Sequence, residues 1–103
     1  MTAKKLTIEI LSGPCDGSEL VLEANADWNR EGSGALAFPW DVELGTPQGY
    51  LTVDEQGWWL EPVKSAHGTY HVSKGEKVQD KVELAKDDIF KASRTWLLAK
   101  DIE

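Results

Sequence analysis

The sequence predicts an all-β sandwich. Three observations carry this. Apolar residues alternate with polar ones over short stretches, as in Leu6-Thr7-Ile8-Glu9-Ile10. Turn residues interrupt these stretches about every 8 to 12 positions. No long segment keeps the three-and-four spacing of an amphipathic helix; the best candidate, residues 76–92, places Val78, Val82, Leu84 and Ile89 off any single face. The 103 residues make one domain, 1–103, with room for a single core.

The elements follow in order. Leu6, Ile8 and Ile10 define a first strand with one buried face. Gly13-Pro14-Cys15-Asp16-Gly17 turns the chain, and Glu19–Glu23 returns it. Shorter strands are expected at Asp27–Arg30 and Ala35–Phe38, separated by Gly32-Ser33-Gly34. The clearest hairpin joins Tyr50–Asp54 to Gly57–Val63 through Glu55-Gln56-Gly57. Thr69–Ser73 is a further strand, turned back by Lys74-Gly75. Val82–Leu84, Asp88–Ala92 and Thr95–Lys100 complete the set. Five tryptophans are present, and Trp58 and Trp59, adjacent in one strand, must point to opposite faces. With Trp40 they form the candidate aromatic contact surface, one of the adjacent pair being assigned to the core.

Net charge is −7, from 11 basic and 18 acidic side chains. Residues 1–50 hold three cations, Lys4, Lys5 and Arg30, against eight acids. Nucleic-acid binding needs clustered Lys and Arg that displace counterions, and anionic membrane surfaces attract the same clusters, so neither partner is expected. Nothing approaches the roughly 18 apolar residues of a membrane span. Lys4 and Lys5 lead directly into alternating residues where a signal peptide would carry an apolar block, so a cytoplasmic location is expected. Cys15 is the sole cysteine, without a base nearby, and is read as a small turn residue.

Candidate chemistry is sparse. His67 and His71 are four apart, about 13 Å along an extended chain, too far to share a metal ion. Ser65 precedes His67 by two residues, but nothing orients the imidazole or offers an oxyanion hole. Asp87-Asp88 reads as a solvated acidic turn. Asn29–Gly34 is Gly-rich but lacks the Gly-Lys-Ser/Thr ending of a phosphate-binding loop. No catalytic residues, metal site or cofactor is expected; the chain reads as a binding module rather than an enzyme.

Taken in order, the segments resemble a forkhead-associated (FHA) domain along nearly the whole chain. The hairpin Ile8–Leu22 is similar to that family's opening. Trp28-Asn29-Arg30 falls where the family has an apolar residue followed by Gly-Arg, and Leu44–Leu51 where it has Ser-Arg-x-His-Ala. Ser65-Ala66-His67-Gly68-Thr69 resembles its Ser-x-Asn-Gly-Thr. Leu84–Ile89 resembles its Leu-x-x-Gly-Asp-x-Ile, and Thr95–Leu98 its final strand. The resemblance implies about 11 short strands in two antiparallel or mixed sheets, with loops at one end that bind a phosphothreonine peptide.

The departures fall on those loops. Gly45 and Thr46 stand for the family's Ser and Arg, Gln48 for its His, and His67 for the Asn that holds the peptide backbone. Arg30, Ser65, Gly68 and Thr69 persist. A phosphate carries about −1.5 to −2 charges and is best held by a bidentate Arg with further donors. Arg30 would act nearly alone, with Lys64, beside a loop bearing Asp41 and Glu43. Two readings stand: an interaction module that binds a protein or peptide partner without strict phosphothreonine dependence, and a phosphothreonine-peptide reader with a divergent site using Arg30, Ser65 and His67. The oligomeric state is not fixed by the sequence.

Overall fold

The computed structural model of the chain describes residues 4–31, 36–63 and 68–103. Eleven strands form two sheets. They are β1 (Leu6–Ile10), β2 (Glu19–Leu22), β3 (Ala26–Asn29), β4 (Leu36–Ala37), β5 (Gly49–Val53), β6 (Trp58–Pro62), β7 (Thr69–His71), β8 (Glu76–Val78), β9 (Val82–Glu83), β10 (Ile89–Ala92) and β11 (Thr95–Ile102). One sheet has the order β2-β1-β11-β10-β7-β8, the other β4-β3-β5-β6-β9. Among the described residues β3 and β4 pair in parallel and the other pairings are antiparallel. The expected all-β sandwich of two antiparallel or mixed sheets is therefore the fold observed.

Alternation explains the core. Leu6, Ile8 and Ile10 face inward from β1, Leu97 and Ala99 from β11, and Phe90 and Ala92 from β10. Trp28, Leu51, Trp58 and Leu60 meet them from the other sheet. Truncating a fully buried aromatic of this kind costs about 3–5 kcal/mol. Trp58 is 1% exposed, which removes it from the candidate contact surface. Trp59 points outward as the pairing rule requires and is half-buried, with the Lys81 ammonium 5.0 Å from its ring centre.

Strand ends differ from expectation by one or two residues at several places, β11 running to Ile102 rather than Lys100 among them, and three local features stand out. The 13–15 segment is a single 3₁₀ turn with Pro14 near its start, where the fixed φ of proline suits a helical turn. β3 begins one residue early, at Ala26 rather than Asp27. β8 was not anticipated at all: of Glu76, Lys77 and Val78 only Val78 is buried, so three residues give no visible alternation, yet they pair in register with Thr69–His71.

Candidate functional site

The chain from Phe38 to Gln48 joins β4 to β5 and forms one end of the sandwich with the β10–β11 turn. Two buried polar side chains hold it against the other sheet. Asp41 is fully buried. Its Oδ1 accepts from Ser93 Oγ at 2.6 Å, and its Oδ2 from Arg94 N at 2.9 Å and Thr95 Oγ1 at 2.7 Å. Burial alone would raise its pKa. The hydrogen bonds from Ser93 and Thr95, with the backbone N–H groups of Arg94 and Glu43, outweigh that and hold the carboxyl below its ordinary 3.8. Asp41 is thus no surface charge facing an incoming anion, as its position beside Glu43 in the sequence suggested; it is an internal acceptor for the tip of the β10–β11 hairpin.

Gln48, also fully buried, is the second tie. Its Oε1 accepts from Gly45 N at 2.8 Å and its Nε2 donates to Thr69 Oγ1 at 2.9 Å. Its own N–H donates to Trp28 O and its carbonyl accepts from Val63 N. Gln48 therefore links the Gly45 turn to the start of β7, across the two sheets. The Thr46–Pro47 peptide between them is cis.

The residues singled out from sequence distribute as follows. Arg30 reaches the same loop: Nη1 donates to Val42 O at 2.7 Å, Nη2 lies 3.7 Å from Glu31 Oε1, and its backbone N–H donates to Gly45 O at 3.3 Å. Gly45 offers no hydroxyl, and its N–H is taken by Gln48. Thr46 is exposed, while Thr69 is buried and bonded to Gln48. Gly68 is half-buried beneath Lys77: a Cβ at Gly68 would lie 2.5 Å from Lys77 Cε. Lys64, Ser65 and His67 lie outside the described residues. The structure thus brings Arg30, Gly45, Gln48 and Thr69 into one connected cluster.

Trp40 is half-buried, edge-on to Phe38 at 6.4 Å between ring centres, and covers Gly13. Val42, two residues on, is 67% exposed. Sequence reasoning missed Val42, because an isolated valine among acids carries no periodic signal. It also missed Lys77, which reaches Gly68 only because β8 pairs with β7.

The remaining histidine is structural. His71 is buried, its Nδ1 accepts from Lys74 N at 3.1 Å, and its Nε2 lies 3.3 Å from Asp88 Oδ2. An Nδ1 that accepts leaves the proton of the neutral ring on Nε2, facing the carboxylate. Asp88 also accepts from Ala85 N, so this carboxylate shapes the turn before β10.

No protein-family model matches the sequence, and no curated protein sequence does. Solved structures match over almost the whole chain. An FHA domain of an Arabidopsis thaliana hypothetical protein is 20% identical with a TM-score of 0.82, covering 95% of this chain and 86% of its own. An FHA domain from a structural and functional analysis of phosphothreonine-dependent interactions is 18% identical with a TM-score of 0.73, over 91% of this chain and 93% of its own. The FhaA FHA domain, solved in complex with the intracellular domain of Rv3910, is 17% identical with a TM-score of 0.73, over 95% and 99%. At these identities the likeness is one of fold, and the fold is FHA-like.

Proposed function

We propose, from the FHA-like fold of this chain, that it is a protein-interaction module whose loop end recognises a protein or peptide partner without requiring phosphothreonine. The observation that carries this reading is the Gly45–Gln48 hydrogen bond at the position where the resemblance puts a serine. The backbone donor there is already used, no hydroxyl replaces it, and the nearby Arg30 guanidinium is engaged by Val42 O and flanked by Glu31. Each missing charge-assisted hydrogen bond is worth about 1.5–3 kcal/mol, so losing two weakens phosphate capture by roughly two to four decades. The same loop instead presents Val42 to solvent, and burying this apolar side chain against an unphosphorylated partner is favourable.

A second reading, a divergent phosphothreonine reader, is favoured by one observation: Lys77 lies over Gly68, next to Ser65 and His67 in the chain, and supplies a cation besides Arg30. Peptide arrays carrying each sequence with and without phosphate separate the two. The first reading expects equal retention of both forms and loss of at least tenfold on Val42→Asp, with little change on Arg30→Ala. Retention of the phosphorylated form alone, abolished by Arg30→Ala and by salt, overturns it in favour of the second.

A further inference from the structure

The outer faces of the two sheets carry matching patterns. On the six-stranded sheet, the register places Lys77, Tyr70, Lys91 and Trp96 side by side across β8, β7, β10 and β11. Tyr70 is 45% exposed and lies between the two lysines. On the five-stranded sheet, Asp27, Tyr50 and Glu61 lie side by side across β3, β5 and β6, with Tyr50 39% exposed between the two acids. Neighbouring strands are about 4.8 Å apart, so each tyrosine has its two charges about 10 Å apart, one on either side. Among the described residues none of these four charged side chains has an ion-pair partner. Two positions along the strands, Ile89 lies beside Leu98 on one face and Thr52 beside Trp59 on the other.

From this complementarity we infer that the chain self-associates, the six-stranded face of one copy docking on the five-stranded face of the next. Two copies of the same row do not match, since lysines would oppose lysines and carboxylates carboxylates. The contact is therefore head-to-tail, and each docked copy leaves one face of either kind open. Both charged rows read the same in either direction, so the tyrosines can stack offset at the centre with an ion pair on each side. Apart from Lys77, which also lies over Gly68, this surface uses none of the residues of the loop-end cluster, and the inference does not depend on the function proposed for that end.

The test is sedimentation of the full chain over a concentration series at low and high salt. Concentration-dependent association that weakens with salt is expected; a monomer at millimolar concentration in low salt overturns the inference without any variant. Reversing one face, with Lys77→Glu and Lys91→Glu, should weaken association about tenfold or more. Adding Asp27→Lys and Glu61→Lys to that variant should restore it. All four positions lie on outer faces, and circular dichroism confirms folding. Association unchanged by the first pair, or not restored by the second, places the contact elsewhere and overturns the assignment.

Discussion

Asp41 is a carboxylate held away from solvent by hydrogen bonds alone, and this has a pH signature. A carboxyl whose folded pKa lies below its unfolded one contributes stability that is present in full above the unfolded value, near 3.8, and is lost as pH falls through the folded value. Asp41→Asn keeps the shape but replaces one acceptor oxygen by a donor facing a donor. It should cost about 2–4 kcal/mol at neutral pH. In urea unfolding followed from pH 7 downward, the gap between wild type and variant should stay constant to about pH 5 and narrow below pH 4; a gap that widens in acid would assign the effect to another group. Asp87 offers the opposite case. It occupies the position where the resemblance has glycine and adopts φ of +73°. Aspartate tolerates that region at a cost that glycine avoids, partly offset by the greater freedom of glycine in the unfolded chain. Asp87→Gly should therefore stabilise by about 0.5–1 kcal/mol, read as a rise in urea midpoint with unchanged slope.

Among the elements, the β1–β2 turn shows how one glycine sets a packing arrangement. Gly13 has φ of +70°, and a Cβ there would lie 2.4 Å from the Trp40 ring. Gly13→Ala combines backbone strain with a steric clash and should destabilise by about 2 kcal/mol or more, with altered near-ultraviolet dichroism as Trp40 is displaced. A neutral result would mean that the ring moves freely. The same turn is tied to the last hairpin: Ser12 Oγ donates to Arg94 O at 2.8 Å and accepts from Trp96 N at 3.0 Å. At the opposite end, Lys4 donates to the carbonyls of Asp54 and Glu55, joining the start of β1 to the β5–β6 turn. That turn was plain in the sequence, because Asp54 precedes Gln56-Gly57 and its Oδ1 accepts from both of their N–H groups. β8 was hidden because its pairing with β7, rather than any pattern of its own, makes it a strand.

For the whole molecule, strands with three or more alternating residues were legible, since period-two burial writes itself into residue order; Leu6–Ile10 is an example. The order and spacing of motifs were enough to point to the FHA-like arrangement of sheets. The polar interior of the loop end was not legible. In the sequence Gln48 reads only as a replacement for histidine and Asp41 only as an acid of the loop near Arg30, because nothing local shows that Thr69 and the 93–95 turn lie across from them. Those partners are 21 positions away from Gln48 and 52 to 54 from Asp41. Only the closed fold brings them together. Clamping the 38–48 segment to the opposite layer at two solvent-free points leaves it little freedom to lose when something lands on Val42. Recognition there should thus incur a small ordering penalty, and substitutions at the rim should act mainly on how fast a bound partner leaves.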